Sequence, residues 1–335
     1  MNLSREKLIA ESARTGYRPE MLEKVIRLLD LLEGLRSHPF LKTRLALKGG
    51  TALNVFQFEL PRLSVDIDVN YIGSVDASVM KKERQDVEKA ITDVCNRADL
   101  RIERTATDYA GGKWRLRYNS ALGTGANLEL DLNFLLRQPL WPPAIVDSRE
   151  VGSFIAKQIC VLDINEVACA KFVALLSRRA ARDLFDAHLL LNSKDLDQER
   201  LRLGFVLYGA ASRTDWRTVE PSAVGFDSEE LKQNLIPVLH AKAIEEIHNE
   251  EKWAKRLVEE CREGLSRLLP LNKSEKAFLD RVLDDGTIDG GLLTTDEKMK
   301  TSIESLPMLH WKAQNVRSFK RGTGTTRSLA EPLAE

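Results

Sequence analysis

The segment Leu63-Ser-Val-Asp-Ile-Asp-Val-Asn-Tyr71 alternates with the period of a β-strand. That period sets Val65, Ile67 and Val69 on one face and Asp66 and Asp68 on the other. Such a strand belongs at the edge of a core, one face packed and the other carrying two carboxylates. Like charges so close repel. The strand gains nothing from holding them there unless a cation offsets them; the bland reading is a solvated face. Magnesium is the natural cation, because it takes hard oxygen ligands and shares its shell with substrate phosphates.

The upstream residues narrow that choice. Arg44-Leu-Ala-Leu-Lys48 reads as a short strand running into Gly49-Gly50-Thr51, and residues 51–58 read as a helical turn or two. Backbone N–H groups at a glycine turn that opens a helix can hold a triphosphate; the two glycines can also serve the turn alone. Strand, Gly-Gly-Thr, helix and a strand with Asp-x-Asp together are more specific than any one part. Two metals clamping an in-line phosphoryl attack require a third carboxylate. Asn127-Leu-Glu-Leu-Asp-Leu-Asn133 offers Glu129 and Asp131 on one face, with an apolar face of Leu128, Leu130, Leu132 and Phe134 opposite.

The rest of the chain divides in two. Helices are expected at Ser4 onward (Ser4 as N-cap), over 19–35 with Leu22, Val25, Ile26, Leu29 and Leu32 at helical spacing, and over 77–98. Strands are expected near 101–108, 113–118, 127–136 and 154–161, with turns at Gly111-Gly112 and Gly123-Thr-Gly125. After the proline-rich stretch 138–143 and that last strand, residues 163–192, 197–211, 228–267, 273–284 and 295–305 read as helix. No internal repeat is present. From Arg321 the Gly-Thr-Gly-Thr-Thr-Arg-Ser stretch is expected to be mobile.

Composition excludes several classes. Lys+Arg and Asp+Glu both number 50 in 335 residues, so the formal charge is zero. That balance is wrong for a protein that coats nucleic acid non-specifically, though it leaves room for a local basic patch. Lys113, Arg115 and Arg117 share one strand face, either solvated or a groove for triphosphate or RNA backbone. No apolar run approaches a membrane span and the N-terminus is charged, so a cytoplasmic protein is expected. Cys95, Cys160, Cys169 and Cys261 lack Cys-x-x-Cys spacing and read as free thiols. Serine-hydrolase, zinc-protease and Walker motifs are absent. His188 and the five tryptophans read as core or boundary residues.

Three blocks resemble the DNA-polymerase-β-type nucleotidyltransferase superfamily, and within it the AbiEii/MenT group of toxin nucleotidyltransferases. They are Lys48-Gly-Gly-Thr-Ala-Leu with Arg62-Leu-Ser-Val-Asp-Ile-Asp, then Leu130-Asp-Leu-Asn-Phe-Leu-Leu-Arg137, then Lys171-Phe-Val-Ala-Leu-Leu-Ser-Arg-Arg-Ala-Ala-Arg-Asp-Leu-Phe-Asp186. A weaker echo lies at 309–316, and the gap between Thr51 and Asp66 is longer than in many superfamily members. The resemblance implies an α+β fold: a nucleotidyltransferase domain over 1–160, with a short mixed sheet flanked by helices, and a mainly helical domain over 161–320 completing the active site. It implies NMP transfer from an NTP to an acceptor, as toxin of a toxin–antitoxin pair, with the tRNA 3′ end modified by some relatives. Lys48, Gly49, Gly50, Thr51, Arg62 and Ser64 would bind the nucleotide, and Asp66, Asp68 and Asp131 the Mg²⁺. Lys171 would neutralise the leaving pyrophosphate, with Asp186, or else Asp183, orienting the acceptor or Lys171. Taken without the resemblance, Arg179–Asp183 and Arg182–Asp186 are i,i+4 surface pairs. Rival readings are transfer to a protein or small molecule, and a non-catalytic partner-binding module with a relic site.

Overall fold

A computed structural model describes residues 3–107 and 110–322. The chain clusters into two compact units, Met1–Asp163 with Lys232–Asn249, and Ile164–Leu231 with the described residues from Glu250 onward. The stretch from Thr323, where mobility was expected, lies outside the described residues.

The first unit opens with α1 (Arg5–Thr15), capped by the Ser4 hydroxyl and ended by Gly16 at φ 72°, and α2 (Pro19–Ser37), whose first residue is the expected proline. There follow β1 (Leu45–Lys48), the short helix α3 (Gly49–Thr51), which continues π-wound through Ala52–Gln57, and β2 (Asp66–Tyr71). Next come α4 (Ala77–Arg97), capped by Asp76, then β3 (Arg101–Thr107), β4 (Gly111–Asn119), β5 (Gly125–Asn133), β6 (Ala144–Val146) and β7 (Ile159–Val161). The seven strands form one mixed sheet in the order β3-β4-β5-β2-β1-β7-β6. Ile67, Val69, Trp114, Leu116, Leu128, Leu130 and Leu132 are buried. The alternation read from the sequence is thus a packed face, and α2 and α4 pack on each other and against strands of the sheet. The strand expected over 154–161 is reduced to β7, paired with the unforeseen β6; Pro142 and Pro143 precede β6 and suit an edge strand.

The second unit begins with α5 (Ile164–Ser177), α6 (Ala181–Leu191), α7 (Gln198–Ala211) and the single turn α8 (Ser228–Glu230). Through α9 (Ala241–Glu245) the chain runs in the first unit, then returns with α10 (Glu250–Leu265), α11 (Lys273–Asp280), α12 (Glu297–Glu304) and α13 (Pro307–Lys320). Its core includes Phe172, Leu184, Phe205, Trp216 and Phe278.

Two long helices expected from the sequence are broken. Residues 163–192 form α5 and α6, separated at Arg178-Arg179-Ala180. Ala180 has no polar side-chain atom to cap α6, and the Glu230 carboxylate accepts from the Ala181 amide instead. Residues 228–267 are interrupted because Pro237 has no amide hydrogen to continue a helix. There the backbone pairs with the first unit's lead-in: Leu63 N donates to the Val238 carbonyl at 2.8 Å, and Arg62 and Leu239 form an antiparallel bridge.

Candidate active site

The register of four strands assembles the acidic face and its basic flanks. β2 and β5 run parallel, with Asp66 opposite Glu129 and Asp68 opposite Asp131. β1 sets Lys48 opposite Asp68, and β4 sets Lys113 opposite Asp131 and Arg115 opposite Glu129. One rung therefore reads Lys48, Asp68, Asp131, Lys113, and its neighbour Asp66, Glu129, Arg115. Neighbouring strands lie about 4.8 Å apart, and cross-strand partners share a face. All four carboxylates are partly exposed, whereas Ile67, Val69, Leu130 and Leu132 between them are buried. Lys113 Nζ lies 3.2 Å from Glu129 Oε2 on the neighbouring rung.

The glycine turn is fitted to this face. Gly49 sits at φ 71°, in the left-handed region that favours glycine. A Cβ at Gly49 would lie 2.2 Å from Asp68 Oδ2, so the Asp68 carboxylate rests directly over the glycine. Gly50 is buried and its carbonyl accepts from Asn54 Nδ2 at 3.0 Å. Thr51 is buried too, its hydroxyl donating to the Asp66 carbonyl at 2.6 Å. That bond ties the helix start to the metal-candidate strand and occupies the hydroxyl expected to meet phosphate. Arg62 is likewise turned inward: it is 2% exposed and its Nη1 donates to the Leu63 carbonyl at 2.9 Å. Ser64 is also buried.

Among the described residues no three His, Cys, Asp or Glu side chains are drawn together as a ready-made metal cage. Asp66, Asp68 and Asp131 share a face and a register rather than a closed shell. Their donor atoms are all carboxylate oxygens, the chemistry that a hard divalent cation takes, so the residues present fit one. Asn70 continues the same face one step beyond Asp68, opposite Asn133. The strand period alone assigns it that position, but a neutral side chain carried no signal for metal chemistry.

In the second unit Lys171 is the centre of a buried ion cluster. Its Nζ lies 2.8 Å from Asp183 Oδ1 and 3.0 Å from Asp186 Oδ2. The two carboxylates are 2% and 0% exposed and the lysine 12%. Arg178, not the expected Arg179, reaches Asp183 through Nε at 2.6 Å. The break between α5 and α6 makes this possible. On one continuous helix Lys171 and Asp183 would be about 18 Å apart along the axis, at 1.5 Å per residue. Burial pushes the Asp183 carboxyl up, but Lys171 and Arg178 more than offset it and hold the group well below the usual carboxylate range.

The remaining expectations fall away from this chemistry. All four cysteines are free, and burial pushes the Cys95 and Cys261 thiols up to about 12, where they are poor nucleophiles. No helix among the described residues is long and apolar enough to cross a membrane.

No curated protein matches the chain. Among solved structures it is similar to MenT4, a nucleotidyltransferase toxin from Mycobacterium tuberculosis. The TM-score is 0.57 at 16% identity, covering 92% of this chain and 99% of that one. At that identity the likeness speaks for the fold, an α+β nucleotidyltransferase architecture. The family model for the nucleotidyl transferase AbiEii toxin, of type IV toxin–antitoxin systems, matches residues 30–281. The match spans the glycine turn, both acidic strands and the Lys171 helix, and on it the chain belongs to the AbiEii nucleotidyl transferase toxin family.

Proposed function

We propose that the chain is a divalent-cation-dependent toxin that transfers an NMP from an NTP to RNA, at the tRNA 3′ end. The observation that carries this reading is the in-register pairing of Asp66 with Glu129 and Asp68 with Asp131 beside Gly49. Asp66, Asp68 and Asp131 would hold the cation. Asp131 is taken as the third ligand because it stands opposite Asp68 in the β2–β5 register. A bound cation of this kind neutralises charge on the triphosphate and lowers the pKa of an attacking hydroxyl.

The protein's own groups do the rest. Backbone N–H groups of Gly49 and Gly50, with Lys48 beside them, receive the triphosphate, and the absence of a Cβ at Gly49 leaves room for the Asp68 carboxylate over the turn. Thr51 and Arg62 act indirectly, through the Asp66 carbonyl and the Leu63–Val238 lead-in to β2, and Ser64 belongs to the same buried lead-in. The acceptor hydroxyl oxygen bonds to the α-phosphorus as the bond to the β-phosphate bridging oxygen breaks. Pyrophosphate leaves with that electron pair, and the hydroxyl proton passes to water. Lys171, held by Asp183 and Asp186, is the candidate cation for the departing phosphates. The natural setting is the cytoplasm, with a cognate antitoxin as partner.

Incubation of the protein with each α-labelled NTP and total RNA, with and without Mg²⁺, tests the proposal. Label is expected on tRNA only with Mg²⁺, and its rate of incorporation is expected to fall about 10²–10³-fold in Asp68→Asn. Label on protein or small molecules but never on RNA would overturn the acceptor assignment, and no transfer to any acceptor would overturn the reading altogether.

A further inference from the structure

On the acidic face the side chain of Asn70 stands out. It follows Asp66 and Asp68 at strand spacing, with Ala46 and Asn133 as its cross-strand neighbours. Asn70 is 0% exposed, and among the described residues neither its Oδ1 nor its Nδ2 has a hydrogen-bond partner. Asn133 does not meet the need as an acceptor, because its Oδ1 accepts from the Leu135 and Leu136 amides at 2.8 Å each. A buried polar group without a partner is unfavourable, and a strand interior favours Val or Ile at such a place.

We propose that Asn70 is a positioning residue for the cation site, its amide holding the hydration shell of the ion bound by Asp68 and Asp131. The inference rests on the metal-dependent reading above. A magnesium-like ion keeps several of its waters, and these waters are hydrogen-bond donors. Asn70 Oδ1 accepts from one of them, and Nδ2 has the polarity to donate to a carboxylate oxygen. An amide does both without adding negative charge to a face that already carries four carboxylates. Outer partners of this kind orient ligands and set affinity as strongly as many direct ones.

The test is Mn²⁺ titration of the folded protein by electron paramagnetic resonance, with Asp68→Asn as the control that removes a direct ligand. Asn70→Val is expected to weaken Mn²⁺ binding about 10–100-fold, while its thermal midpoint is unchanged or raised. Asn70→Asp, which keeps the acceptor, is expected to recover most of the affinity. An Asn70→Val protein that binds Mn²⁺ within twofold of wild type overturns the inference, whatever its melting temperature. Should that variant fail to fold, Asn70→Ser is judged by the same criterion. Wild-type protein that neither binds Mn²⁺ nor transfers nucleotide overturns this inference together with the reading it rests on. Wild-type binding with Asn70 variants unaffected overturns this inference alone.

Discussion

The carboxylates of the two units are gathered by opposite means. On the sheet, Asp66, Asp68, Glu129 and Asp131 are brought side by side by backbone register, which is indifferent to their repulsion. In the helical unit, Asp183 and Asp186 converge on one ammonium group, Lys171, and are buried with it. The first arrangement is held up by the packed face beneath it and leaves its charges partly in water. The second is held together by the charges themselves, because a buried ion without its partner is expensive. Register can therefore keep an electrostatically unfavourable set in place. A buried ion cluster is a stability element first, and any chemistry it performs has to be separated from that.

The sharpest way to break this contrast is Lys171→Met. It takes away the ammonium group that two buried carboxylates share, leaving Asp183 with Arg178, and should cost about 3–5 kcal/mol in urea unfolding. The matched variant Lys171→Met, Asp183→Asn, Asp186→Asn should recover most of that stability. If the matched variant still transfers nucleotide at the wild-type rate, Lys171 has no phosphate role and the cluster is structural. Asp68→Asn should behave in the reverse manner: transfer falls about 10²–10³-fold, with a thermal midpoint equal to or above wild type. A loss of stability there, in parallel with activity, would erase the contrast.

Gly49→Ala probes the join between turn and strand. A side chain at φ 71° and a Cβ 2.2 Å from Asp68 Oδ2 should cost about 1–3 kcal/mol by thermal or urea unfolding. Nucleotide affinity should fall further than that stability loss predicts. The gentlest test is pH. The Asp183 carboxyl is held below its ordinary value of 3.8, so its stabilising contribution is complete above about pH 4 and is lost as pH falls further. Wild-type stability should drop on acidification with an extra slope of at most about 1.4 kcal/mol per pH unit. Asp183→Asn, less stable throughout, should lack that component of the slope.

The parts of the fold legible beforehand are those governed by local periodicity. The Ser4 cap, the Pro19 start, the α4 helix and the alternation of β2, β4 and β5 all follow from residues within one element, and the structure carries each within a few positions. The long helical readings failed where a distant group decided the outcome. Nothing near Ala180 announces that Glu230 will cap α6. Nothing near Val238 announces that its carbonyl will receive Leu63 N. Likewise, Thr51 and Arg62 carry the right chemistry for a phosphate, and only their surroundings turn them inward, toward the Asp66 and Leu63 carbonyls. Asn70 carries no signal in the sequence, because an uncharged amide gains meaning only from being buried without a partner.

By itself the sequence determined which faces are apolar, where the chain must turn, and that Asp66 and Asp68 stand together, since a two-residue period leaves no other arrangement. The tertiary structure decided which strands lie beside them. Parallel pairing of β2 with β5 puts Asp131 rather than a solvent-facing loop next to Asp68, and the left-handed Gly49 lets the turn close beneath that carboxylate. It also decided that Lys171 meets Asp183, twelve residues along, because a break between two helices folds back a distance that a single helix would have kept open.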